Sequence, residues 1–451
     1  MEVRRTRLWM RAQKKALPVF PHAFSACIFR MWTWTGSQLS IESLREARTM
    51  ARHTRFAPDR LTGIAWGCAL MLLATVAAAG PLEKAKRMHD RLAGVPASNA
   101  VLTAMQTKIN GGDAIGAAYD AMDNPAFYNA RLKNWITPWT NREDNQFAPL
   151  NDYTATVIGL IRDEEDYRQV LYGDVLYVPA AGTYSTTSNA AYIAAETNNV
   201  DLGDPAVLVK TTQSSRIPAL AADPTKATAG IMTTRAAARA FFIDGTNRAM
   251  FRFTLKNHLC NDMEQVQDIT RAADRIRRDV PRSPGGDSRI FMNTCIGCHS
   301  GMDPMAQAFA YYDFQYDKNA ADADAAMAVG QLVYTAGSVQ PKYDINHDHF
   351  AEGYITTSDR WDNYWRAGPD TAIFGWGAGA GGGNGAKSMG MELANSEVFA
   401  MCSVKKVFQV VCLRDPSSAD QSAFSTMLNS FKTNYNLKRT FAEAADYCSD
   451  D

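Results

Sequence analysis

Five consecutive residues, Cys295-Ile296-Gly297-Cys298-His299, carry the most specific chemistry in the chain. Two thiols three positions apart can reach the two vinyl groups on one edge of a porphyrin. A histidine directly after the second thiol then lies under the iron and offers it a nitrogen. This C-x-x-C-H spacing is the attachment signature of haem c. It predicts one covalent haem, with Cys295 and Cys298 as the thioether residues and His299 as the proximal axial ligand. A thioredoxin-like redox pair would need a βαβ setting, and the flanking sequence offers none. A zinc site would need a second C-x-x-C or an H-x₃₋₅-H, and neither is present.

A haem that carries electrons without binding a substrate needs a second axial group. Met302 and Met305 follow His299 too closely and stay on its side of the ring. Met389 and Met391 stand in GAKSMGMELANS, which reads as a glycine-rich loop opening a helix about 90 residues after His299. A loop methionine after the attachment helix suits a class I cytochrome, so Met389 and then Met391 are the distal candidates. The plainer reading makes both methionines ordinary apolar filler. His347 and His349 are the alternative ligands, although an H-x-H in a polar loop is more often solvated surface. Asp344, Asn346 and Asp348 alternate like the start of a calcium loop. However, His349 stands where the loop needs glycine and Ile355 where it needs glutamate.

The attachment chemistry belongs outside the cytoplasm, and an independent segment agrees. Leu61 to Val76 is an uncharged apolar run preceded by Arg52, Arg55 and Arg60 and followed by Ala77-Ala78-Ala79-Gly80. That is the layout of a secretory signal peptide, placed at 50–79, with translation starting at Met50 and 1–49 a mis-assigned upstream extension. The run is short for a membrane span, so no transmembrane anchor is expected after cleavage. The location implied is periplasmic or secreted. The chain balances 47 basic against 47 acidic residues, but 1–79 holds 12 of the former and 4 of the latter. Residues 80–451 therefore carry 35 and 43, a net of −8, which argues against a nucleic-acid partner.

In an oxidising compartment the four other cysteines of this part, Cys260, Cys402, Cys412 and Cys448, are disulfide candidates. Cys402 and Cys412 lie on one helical pattern through Val398, Phe399, Val404, Val407, Phe408 and Val411. Ten helical residues span about 15 Å, too far for a bridge between them. Each must seek another partner, and Cys448 is expected to staple the last helix onto this one. The full pairing stays open, as does the possibility that some remain reduced.

Around these residues the pattern is mainly α. Residues 80–232 read as a helical domain with a loop or hairpin insertion, in which Ala206 to Thr212 is β-branched. Residues 233–451 read as a haem c domain, class I-like with long loops, closed by disulfide-stapled helices near 396–411, 420–432 and 437–447. Gly285-Gly286 breaks the chain before the haem segment. The GAGAGGGNG run near 377–385 reads as a loop closing over the porphyrin.

MHDRLAGVPAS at 88–98, CIGCHSGMDPMAQAFAYYDF at 295–314 and the F-x-x-C-x-V-x-x-V-F pattern at 399–408 resemble planctomycete-type cytochrome c domain proteins. The parts concerned are Arg91-Leu92-Ala93-Gly94, Cys295 to Pro304, and 396–448; only the haem segment is specific. The resemblance implies an exported, mainly helical monohaem protein, without implying a catalytic role. The expected function is electron transfer with a redox partner protein. The alternatives are a haem-dependent peroxidase or oxygenase-like enzyme, with an open distal side, and a structural or assembly component in which haem is secondary. The oligomeric state stays open.

Overall fold

The computed structural model describes residues 80–450. Residues 1–49 and 50–79, expected to be an upstream extension and a signal peptide, lie outside the described residues. The described chain is mainly helical, with three two-stranded antiparallel sheets among the described residues.

Helix α1 (Pro81–Ala93) illustrates how local sequence sets an element. Proline begins the first turn, where its missing N–H costs nothing, Glu83 faces the positive end and Arg91 the negative end. The helix stops at Gly94, whose φ of 73° is a left-handed cap that a side chain would strain. Ala85, Met88 and Leu92 recur on one face and are wholly buried, and burying a side chain of the Met or Leu kind contributes about 1.5–3 kcal/mol. Helices α2 (Asn99–Asn110) and α3 (Ala114–Met122) start at Ser98 and Asp113, whose side chains accept from Val101 N and Gly116 N. Helix α4 (Asp152–Arg162) is buried on every side. A Cβ at its Gly159 would come within 2.1 Å of the Tyr177 ring, so the glycine lets strand β1 (Leu176–Pro179) cross it closely. The β-branched run supplies strand β2 (Leu208–Thr211), which pairs antiparallel with β1 rather than folding into a local hairpin.

Helices α5 (Arg235–Phe241) and α6 (Arg248–Leu259) lead to Cys260, and α7 (Ile296–Ala306) carries the C-x-x-C-H residues from Ile296 on, with Cys295 as its N-cap. Strands β3 (Tyr312–Gln315) and β4 (Gln331–Tyr334) pair, as do β5 (Arg360–Asp362) and β6 (Gly382–Asn384). The chain ends in α8 (Gly385–Ala394), α9 (Glu397–Cys412), α10 (Gln421–Asn434) and α11 (Leu437–Cys448). The last three match the helices expected from the apolar periodicity.

One hydrophobic cluster runs from Ala85 to Cys448 and crosses residue 232 without interruption. Helices α1 and α3 both pack on α11, and Lys84 binds Asp446 at 2.7 Å and Asp450 at 2.8 Å. The boundary drawn at 232 therefore does not separate two cores. Two disulfides fasten α9: Cys260–Cys402 ties it to the end of α6, and Cys412–Cys448 ties its end to the end of α11. The expected staple by Cys448 is present. The loops closed are 142 and 36 residues long, for which chain entropy gives about 5 and about 4 kcal/mol. Such bonds form in an oxidising environment. Among the described residues, no helix is long and apolar enough to cross a membrane.

The core also contains a titration with a defined sign. His258 is wholly enclosed and bonds Tyr153 Oη through Nε2 at 2.8 Å. Burial, helped by nearby Lys406, lowers its pKa from 6.5 to about 3. Between those values the unfolded chain takes up a proton that the folded chain refuses. Stability should therefore fall as pH drops below 6.5, by about 1.4 kcal/mol per unit from this group. Urea midpoints from pH 6.5 to 4.5 measure it. The slope should flatten in His258→Gln, and an unchanged slope would remove His258 as its source.

Candidate haem attachment site

The helix that carries the motif begins with a π turn, Phe291–Cys295, and runs on as α7. Positions i, i+3 and i+4 of a helix share one face. Cys295, Cys298 and His299 therefore project together, the first buried and the other two half-buried. Neither disulfide uses Cys295 or Cys298. The Cys298 thiol points at the Met263 carbonyl, 3.6 Å away.

One turn further on, Asp303 accepts from His299 Nδ1 at 3.1 Å. An ionised carboxylate only accepts, so Nδ1 carries the proton of this bond, and in the neutral imidazole Nε2 is the nitrogen left with a lone pair for a metal. Asp303 has no exposed surface. Its charge is met by the Arg248 fork, with Nε at 2.7 Å and Nη2 at 2.8 Å, and by the Arg277 backbone N–H at 3.3 Å. Burial alone would push the Asp303 pKa up, but Arg248, His299 and Arg277 hold it well below the ordinary carboxylate range. Arg248 in turn grips Asp279 at 2.6 and 2.8 Å. The imidazole is thus anchored through a carboxylate to a closed, charge-balanced network.

The rear of α7 is held as firmly. Ser300 Oγ donates to the Asp268 carbonyl at 3.0 Å, and Asp268 N donates to the Gly297 carbonyl at 3.0 Å. The buried Trp365 indole lies flat on Gly301, where an added Cβ would be 2.1 Å from Cε2. Gly301→Ala should consequently force Trp365 or the helix to move, at a cost of about 1–3 kcal/mol. Thermal melts would show this as a fall of several degrees; an unchanged melting temperature would mean that the indole can yield.

The residues fit haem c by their donor chemistry. Two thiols outside the disulfides and an imidazole with a free Nε2 line one face of one helix, and the imidazole has the carboxylate partner that typically orients a metal-binding histidine.

The distal candidates are placed differently from the sequence expectation. Asn384 is extended, Gly385 turns at φ +79°, and α8 starts there, so Met389 and Met391 stand inside a helix rather than on a loop. Met389 is wholly buried in the core and Met391 is 46% exposed, so the two face different surroundings. Gly390 between them seats against the Leu171 carbonyl and the end of Met232. The glycine run ahead of α8 closes on a guanidinium. Arg366 Nη2 donates to the Gly377 carbonyl at 3.0 Å, Arg366 pairs with Glu392 at 2.6 Å, and Gly379 and Gly381 lie against the same side chain. Lys387 donates to the Pro224 carbonyl and Thr228 Oγ1.

Met302 and Met305 are both buried, on α7 itself. His347 Nδ1 contacts the Asp344 carbonyl and His349 Nδ1 the Asp279 carbonyl, both rings being exposed. Among the described residues, no group of three or more Cys, His, Asp or Glu side chains is arranged to hold a metal ion.

No family model, no curated protein and no solved structure matches the chain. Any functional reading must therefore come from the residues themselves. Sequence reasoning found the three motif residues but gave Asp303 no role. Its i+4 spacing from His299 was the signal that could have revealed it.

Proposed function

We propose that the chain is an exported monohaem c-type cytochrome that passes electrons to or from a partner protein in the periplasm or outside the cell. The reading extends to a class I-like haem domain within 233–451 and to kinship with planctomycete-type cytochrome c domain proteins. One observation carries it: Cys295, Cys298 and His299 share a helix face, with the His299 Nδ1 proton committed to buried Asp303 and Nε2 left over. Among the described residues the four other cysteines pair with each other, so neither disulfide uses Cys295 or Cys298. A haem bound there would supply a reversible one-electron couple. Within this reading Cys295 and Cys298 tether it, His299 ligates it, and Asp303 with Arg248 hold the imidazole orientation.

A haem-dependent oxidoreductase of peroxidase or oxygenase type is the second reading. The buried carboxylate on His299 favours it, because a charged acceptor for the Nδ1 proton makes the imidazole a stronger donor than a carbonyl acceptor would. The absorption spectrum of protein made with haem-attachment machinery separates the two. A low-spin oxidised spectrum with the long-wavelength methionine–sulfur band supports electron transfer with a methionine such as Met389 as the sixth ligand. A high-spin spectrum with peroxide reactivity supports the enzyme. Absence of any haem after such expression would sink both.

A further inference from the structure

A cleft of about 280 Å³ opens where the end of α4 meets the loop before β2 and the start of α11. One wall is built around the buried Arg162. Its Nε and Nη2 grip Asp163 at 2.7 and 3.0 Å, and Nη1 donates to the Leu208 and Asp204 carbonyls at 2.7 and 3.2 Å. That guanidinium is therefore spent on fastening the loop to the helix. Gly203 brings the same loop onto Tyr128, since a Cβ there would stand 2.6 Å from the ring.

Other polar groups on the cleft are unmatched. Lys438 is 9% exposed, yet among the described residues its ammonium has no hydrogen-bond acceptor and no carboxylate in contact. Only ring faces attend it, with the centroids of Tyr119 and Tyr128 at 5.3 and 6.0 Å. Such contacts leave its N–H donors unmet. The Tyr128 hydroxyl, on a residue 4% exposed, likewise bonds nothing among the described residues. Asp201 and Asp204 accept only from backbone, Gly203 N and Ala206 N, each at 2.8 Å. The Asp123 carboxylate also lines the cleft, and among the described residues none of these three pairs with a cation. A buried charge without a partner is costly to keep. A lysine held out of contact with three neighbouring carboxylates leaves space for a molecule that carries both signs.

We propose that this cleft binds a free basic amino acid of the lysine or ornithine kind. The charge count decides the class. Three unpaired carboxylates share the cleft with one unpaired ammonium, and a ligand with one carboxylate and two cationic groups complements that set. The ligand's carboxylate meets the Lys438 ammonium and accepts from Tyr128 Oη. The positive end of α11, where Lys438 is the second residue, favours the same placement. The two cationic groups fall to Asp123, Asp201 and Asp204. A metal ion suits the cleft less well, because an ammonium shares it and, among the described residues, no three such carboxylates are arranged to hold one. The volume lies at the small end for ligand cavities, which fits an amino acid. None of these residues belongs to the haem motif or to the network behind His299.

Calorimetric titration of the full chain at neutral pH and low salt tests the proposal. L-Lysine should bind saturably. Cadaverine, its counterpart without the carboxylate, should bind at least tenfold more weakly. So should Nα-acetyl-L-lysine, which lacks the α-ammonium as the last residue of a peptide does. In Lys438→Met the affinity for L-lysine should fall at least tenfold while that for cadaverine is kept or improved. A merely structural lysine would not divide the two ligands in this way. No binding of L-lysine at millimolar concentration would overturn the proposal, as would cadaverine or acetyl-lysine binding as tightly as lysine. An equal loss of both ligands in the folded variant would overturn it too. The comparison among ligands in the unaltered chain stands whether or not the variant folds.

Discussion

Replacing Cys295 and Cys298 together by alanine should leave the purified polypeptide at its bare mass, while the unaltered chain made alongside it gains the mass of one haem. The effect is all or none, because each thioether needs its own sulfur and no other thiol shares that helix face. Each single replacement should retain the haem through one link and at lower yield. The four other cysteines of the described residues cannot substitute. They are held in pairs at Cα separations of 5.4 Å, at the C-cap of α6 and within α9 and α11. Intact-mass spectrometry under denaturing conditions reads the result directly. A double variant that still carried the haem increment would place the attachment elsewhere and remove the basis for the proposed function.

The second large effect is expected at Asp303. In Asp303→Asn the His299 Nδ1 proton meets a neutral amide oxygen in place of a carboxylate, and the imidazole becomes a weaker donor. Weakened donation destabilises the oxidised metal more than the reduced one. The midpoint potential should rise, by on the order of 60 mV if the preference changes tenfold. The substitution has a second cost. Arg248 keeps Asp279 but loses one of its two carboxylates, and breaking such a buried pair costs about 3–5 kcal/mol. Asp303→Glu separates the two effects, because it restores the charge while displacing the oxygen. A potential unchanged in the folded asparagine variant would reduce Asp303 to a structural partner of Arg248.

The sequence disclosed the part of the site that is contiguous. Cys295 to His299 could be read because thioether attachment demands a fixed spacing within one turn of helix. The staple by Cys448 could be read because ten helical residues hold Cys402 and Cys412 too far apart to bridge each other. Residues brought together across long intervals left no such trace. Arg248 and Asp279 stand 55 and 24 positions from Asp303, and only the folding of α6 against α7 makes them a network. The glycine run has a local reason that its density alone did not disclose: Gly379 and Gly381 lie against the Arg366 side chain, where a Cβ would collide. Likewise Met389 read as a loop residue because the helix begins at Gly385, a residue normally found where helices end.

The meeting of α1 with α11 has a consequence for biogenesis. A ribosome releases Leu92 long before Phe441, so the earliest apolar stripe must wait for the final segment before it is covered. Contacts this distant along the chain slow closure and prolong exposure of sticky surface. Folding should therefore be post-translational, and premature termination even a few turns short of the end should yield an insoluble fragment rather than a truncated but native protein.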